Sequence, residues 1–161
     1  MKFKIVEKKI LSDSDLNMMF EILKPNLIKL GYTNISDSEK EIWKSNHNQS
    51  NNFYFWIYAD DNFVGYFELC VNENKLFLSE IQLCGNVKQT KTILYVIKFL
   101  TELDYFKDFD KIYFSINKTN SLSNKTFSHL GGKIVRETEK KNIYELSRDK
   151  IEQYLSKYGR I

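Results

Sequence analysis

The segment LCGNVKQTKTIL sets Lys88, Gln89 and Lys91 at the point where an apolar strand gives way to an amphipathic helix. Free backbone N–H groups and the positive dipole end at a helix start attract anions, and ammonium groups beside them suit a phosphate. The chemistry on offer is the holding of a phosphate-bearing small molecule. Further along, NSLSNKTFSHLGG opens another helix at Asn120 and stops it at Gly131 and Gly132. Asn120 either holds a ligand or caps the helix that begins at Ser121.

These loops need elements to position them. Leu76 to Leu83 reads as a strand, and Lys111 to Ile116 as another. Between them Thr92 to Leu103 carries Ile93, Val96, Ile97, Leu100 and Leu103 on one helical stripe, which is core. A strand, helix, strand crossover joins parallel neighbours, so the two strands should lie side by side or nearly so. Ligands of open sheets bind beyond the carboxyl ends of parallel strands, so Cys84 to Thr92 facing Asn117 to Ser123 is the expected site.

Ahead of that unit, Lys2 to Lys8 alternates as a strand, and Ser12 or Ser14 caps a helix through LNMMFEILKPNLIKL that Pro25 should bend or end. Asp37 to Asn46 reads as a second helix and Asn46 to Asn52 as a loop. Phe53 to Ala59, Phe63 to Val71 and Leu76 to Leu83 form an antiparallel meander with turns at Asp60 to Asn62 and Asn72 to Asn74. Lys133 to Val135 and Asn142 to Leu146 make a closing hairpin, and Arg148 to Lys157 a terminal helix. The expected fold is α+β: a mixed, mostly antiparallel central sheet with one parallel step, flanked by helices, in a single domain over residues 1–161.

The 161 residues are 42% hydrophobic and 28% charged, enough to bury a core without disulfide or metal staples. A net charge of +3 is too near balance to imply a nucleic-acid partner. MKFKIVEKKI threads charges through its apolar residues, so it is neither a signal peptide nor a membrane span, and a cytoplasmic, membrane-free protein is expected. Cys70 and Cys84 share no paired spacing and read as reduced, packed thiols. Nothing is spaced as a metal cluster, a nucleophilic triad or a Walker loop; His47 and His129 stand alone, and no metal is expected.

The order of elements, and the two loops above all, resembles the GNAT superfamily of acyl-CoA-dependent N-acyltransferases. The family's phosphate loop carries Gln or Arg five residues after a strand-end apolar position, then two residues, a Gly, one residue and a Gly or Ala. At the matching places stand Cys84, Gln89, Thr90, Lys91, Thr92, Ile93 and Leu94; the Gln fits, while Thr92 and Leu94 fill the small-residue positions. The second motif reads Asn120, Ser123, Phe127 and Gly131 at the right spacing, with Phe127 where the family often has the Tyr that protonates the departing thiolate.

The resemblance implies acetyl-CoA as co-substrate and direct transfer of its acetyl group to an amine within a ternary complex. Glu80, the lone carboxylate of its strand, is the implied base, with Gln82 two residues on and on the same face. Backbone N–H groups near Leu83 and Cys84 are the implied oxyanion donors, and Lys88, Gln89, Thr90, Lys91, Thr92 and Ile93 the diphosphate cradle. Asn120, Ser123 and Phe127 would lie along the pantetheine arm. Each has a plainer reading: Glu80 on a solvated face, the lysines as a solvated loop, Asn120 as a cap. Tyr54, Trp56 and Tyr58 share a face and are core or the lining of an acceptor cleft. The acceptor is an amine-bearing small molecule or a peptide: polyamine, aminoglycoside, peptide N-terminus and lysine all fit, and a homodimer is compatible. The contrasting reading is a non-catalytic module of this fold that binds a protein or senses a metabolite.

Overall fold

The computed structural model describes the backbone of residues 2–85, 87 and 89–158, and their side chains except at 89, 90, 105, 106 and 158. The strands follow the order β1-β2-β3-β4-β5-β7-β6 in a seven-stranded mixed sheet. All neighbour pairings whose register is defined are antiparallel except one: β4 (Lys75–Leu83) runs parallel to β5 (Lys111–Asn117) through Leu76 with Ile112, Phe77 with Tyr113 and Leu78 with Phe114. The α+β class and the single parallel step are as the sequence leads one to expect. The chain divides into two compact units, Met1–Cys70 with Glu80–Val87, and Val71–Ser79 with Lys88–Ile161.

The first unit holds β1 (Phe3–Lys8), α1 (Asp13–Lys29), α2 (Asp37–Ser45), β2 (Asn52–Ala59), most of β3 (Asn62–Asn72) and the end of β4. Both helices start with capping boxes, Ser12 with Asp15 and Ser36 with Glu39, so local polar chemistry sets both N-termini. Ser12, not Ser14, is the cap of α1. Pro25 does not end that helix, which continues to Lys29. The residues beyond the proline are anchored, with Asn26 Nδ2 donating to Gln82 Oε1 at 2.9 Å and to the Leu83 carbonyl at 3.3 Å. Tertiary bonds here offset the backbone bond that a proline removes. Alternation puts Phe55, Ile57, Phe67 and Leu69 on one buried face of β2 and β3, with Phe55 and Phe67 stacked at 4.7 Å.

The second unit holds α3 (Gln89–Glu102), α4 (Asp104–Lys107), β5, α5 (Ser121–His129), β6 (Lys133–Glu137), β7 (Lys141–Ser147) and α6 (Arg148–Tyr158). Helix α3 begins at Gln89, earlier than the apolar stripe alone marks, and α4 is a turn that the pattern does not signal. Ile93, Val96, Ile97 and Leu100 are buried as expected. Arg148 Nη2 donates to the Thr101 carbonyl at 2.8 Å, tying α6 to α3. Asn124 on α5 donates to the carbonyls of Asn117 and Asn120 and accepts from Asn142 Nδ2 and Tyr144 Oη, locking α5 onto β5 and β7. No helix among the described residues is long and apolar enough to cross a membrane.

Candidate active site

Strand register sets out the polar groups of the first unit. Tyr54 lies opposite Glu68 and Trp56 opposite Tyr66, so all four share one face of β2 and β3. Leu16 and Met19 of α1 pack on this face with Tyr54 and Tyr66, which makes it apolar and water-poor. Into it project two carboxylates, Glu68 and Glu80.

Tyr66 Oη donates to Glu80 Oε1 at 2.6 Å. Burial, then the Glu80 charge, pushes the Tyr66 phenol well above its ordinary range, so it keeps its proton and acts as a donor. Burial also raises the Glu80 carboxyl, opposed by the Tyr66 hydrogen bond. As a residue Glu80 is half-buried. Glu68 accepts from Asn52 Nδ2 and is pushed up to about 7, first by burial and then by Glu80.

His47, just past the end of α2, joins this cluster. Its Nδ1 is 2.7 Å from the Trp43 carbonyl and its Nε2 is 3.5 Å from Glu68 Oε2, with Trp43 and Tyr54 against the ring at 4.1 and 5.9 Å. Sequence reading leaves His47 isolated and overlooks Glu68. A signal for Glu68 was present: a lone carboxylate two residues after a tyrosine in an otherwise apolar strand must find partners when it is buried. For His47 no such signal exists, because the carboxylates it meets lie on β3 and β4.

The end of β4 is shaped by Gly65. A Cβ there would fall 2.3 Å from the Gln82 carbonyl oxygen, so only glycine lets β3 come this close. The β2–β3 register slips beside it, between Ile57 and Tyr58, and the Val64 carbonyl turns to accept the Cys84 N–H at 2.9 Å. That bond involves one of the two amides in the oxyanion reading. The Cys84 N–H is already engaged, which leaves Leu83 as the candidate of the pair. The Cys84 thiol is free and raised by burial, which argues against a nucleophile. A Cβ at Gly85 would lie 3.9 Å from Lys29 Nζ, so a cation that the motif does not include stands beside the loop.

Of the motif residues in the second unit, Lys91 is exposed, Thr92 is fully buried and Ile93 is buried. Lys88 and the side chains of Gln89 and Thr90 lie outside the described residues. Asn120 caps α5, its side chain accepting from the Ser123 N–H at 3.1 Å. Phe127 is buried against Phe114 with ring centroids 4.2 Å apart.

Comparison with solved structures defines the fold. Apo FdhC, a nucleotide-linked sugar GNAT, matches with a TM-score of 0.69 and 16% identity over 97% of this chain and 93% of its own. An acetyltransferase from Thermus thermophilus matches with a TM-score of 0.71 and 12% identity over 91% of this chain and 97% of its own. The Campylobacter jejuni N-acetyltransferase PseH, in complex with acetyl coenzyme A, matches with a TM-score of 0.62 and 16% identity over 91% and 99%. The chain has the GNAT fold. No protein-family model and no curated protein matches its sequence.

Proposed function

We propose that this protein is an N-acetyltransferase that uses acetyl-CoA and an amine, with Glu80 as general base. The carrying observation is Glu80 itself: a partly buried carboxylate on β4 with a raised pKa, held by the Tyr66 hydroxyl at 2.6 Å. An amine of pKa about 10 must lose a proton to attack a thioester, and a carboxylate raised toward neutrality is the better acceptor. Glu80 takes that proton as the amine nitrogen bonds to the acetyl carbon, and the carbon–sulfur bond breaks. Phe127 has no proton to give, so the thiolate, of parent pKa about 8.5, leaves without a phenol's help.

A cation exposed at a helix start supports the diphosphate reading. Lys91 is exposed at the first turn of α3, and Thr92 is wholly buried. Lys88, Gln89, Thr90, Lys91, Thr92 and Ile93 are assigned to the diphosphate, Asn120, Ser123 and Phe127 to the pantetheine arm, and the Leu83 N–H to the thioester oxygen. The acceptor is an amine-bearing small molecule or a peptide. Titration of CoA by calorimetry tests the assignment: the double variant Gln89→Ala, Lys91→Ala should bind at least ten times more weakly, and unchanged affinity overturns it.

A further inference from the structure

An imidazole nitrogen and two carboxylates converge at one point in the first unit. The Trp43 carbonyl can only accept, so the bond at 2.7 Å requires the His47 proton on Nδ1 and leaves Nε2 as a lone pair in the neutral ring. His47 is 7% exposed, and its Nε2 is buried without a hydrogen-bond partner. It faces Glu68 Oε2 at 3.5 Å, another acceptor when ionised. Glu80 is the third member, and ligand atoms of all three residues lie within 4.8 Å of one another.

Each of these groups is also held from behind. The Trp43 carbonyl orients His47, Asn52 Nδ2 donates to Glu68, and Tyr66 Oη donates to Glu80. Such outer contacts are the usual supports of a metal-binding imidazole and its carboxylate partners. Two ligands about 2.1 Å from one ion and 3.5 Å apart subtend about 113°, close to a tetrahedral angle. Bringing in the third requires side-chain rotation, since tetrahedral ligands lie about 3.4 Å apart.

We propose that His47, Glu68 and Glu80 form a binding site for one divalent transition-metal ion of the zinc type, through His47 Nε2 and one oxygen of each carboxylate, and that an ion bound there withdraws Glu80 from its role as base. An imidazole with two carboxylates in a water-poor pocket suits zinc or its neighbours rather than calcium or magnesium, which demand more oxygen ligands or retained waters. The ion's charge balances both carboxylates, which removes the cost of burying them ionised. A cavity of about 460 Å³ lined by Lys8, Asn48, Asn52 and Tyr54 lies beside the site, with Asn52 touching Glu68 and Tyr54 stacked on His47. Ligands on a helix end and two strands, at positions 47, 68 and 80, give no sequence spacing to recognise, which is why the sequence points to no metal.

The test needs neither CoA nor an acceptor, so its outcome is separate from that of the transferase reading. Chelator-stripped protein is titrated with Zn²⁺ alone, by calorimetry and by NMR of the imidazole nitrogens, of which the chain has only two sets, from His47 and His129. One equivalent should bind and shift His47 Nε2 while His129 stays unmoved. Glu68→Gln keeps an oxygen for Asn52 and so keeps the packing; it should bind about tenfold more weakly or worse, whereas His129→Ala should bind as wild type does. A His47 Nε2 resonance unmoved by excess Zn²⁺ overturns the proposal by itself, and so does unchanged affinity in Glu68→Gln.

Discussion

Tyr66 gives its hydroxyl hydrogen to Glu80 Oε1 at 2.6 Å, so the carboxylate assigned as base is oriented by a phenol that burial keeps protonated. The bond lowers the Glu80 pKa while burial raises it. Removing the phenol takes away the largest of the downward influences, leaving His47, Trp43 and Gln82 to oppose burial. In Tyr66→Phe the acid limb of the pH profile of kcat/KM should move to higher pH; a limb that stays put or moves down contradicts Tyr66 as a positioning residue.

Glu68 makes stability depend on pH. Its folded pKa, about 7, stands above the ordinary carboxyl value, so the folded state holds a proton that the unfolded state releases between about pH 4.5 and 7. The contribution is whole below that window and is lost as pH rises through 7, by about 3 kcal/mol at most. The raised Glu80 acts in the same direction. With chelator present, the urea midpoint should fall from pH 5 to pH 8. Glu68→Gln, which mimics the protonated acid and offers an N–H to His47 Nε2, should flatten that slope; an equally steep one places the titration elsewhere.

Gly65 lies against the backbone at the end of β4. Gly65→Ala would set a Cβ 2.3 Å from the Gln82 carbonyl oxygen, at a φ of +156° that side chains rarely adopt. It should cost roughly 2–4 kcal/mol by denaturant unfolding. A loss below about 0.5 kcal/mol would show that the two strands separate more easily than described.

Asn120 carries two assignments that one pair of variants separates. Its oxygen caps α5 through the Ser123 N–H. Asn120→Ala should lose about 1 kcal/mol of stability, and Asn120→Asp, an equally good cap, almost none. Aspartate lacks the amide hydrogens, so if Asn120 also holds the pantetheine arm, Asn120→Asp raises KM for acetyl-CoA at unchanged stability. An unchanged KM reduces Asn120 to a cap.

The backbone order is legible in the sequence because the local signals agree. Period-two aromatic runs mark β2 and β3, the stripe from Ile93 to Leu100 marks α3, and glycine after His129 ends α5. Pro25 misleads, since a local breaker is outweighed by the bonds of Asn26 to β4. Glu80 can be singled out because it is the one carboxylate in its strand. Its surroundings cannot: Tyr66, Glu68 and His47 meet it through register and helix packing, and a single sequence does not encode which face of which strand a loop histidine will reach. The Cys84 amide is likewise out of reach of motif reasoning, because the β-bulge that consumes it depends on Gly65 across the hairpin.

The most direct test compares thiol release from acetyl-CoA by wild type and Glu80→Gln, with chelator present, across a panel of polyamines, aminoglycosides and peptides at pH 8. A Glu80 base predicts amine-dependent release by wild type that falls about a hundredfold or more in Glu80→Gln, with both proteins folded and binding CoA alike. Background-level release across the whole panel, or equal rates in the two proteins, would contradict it.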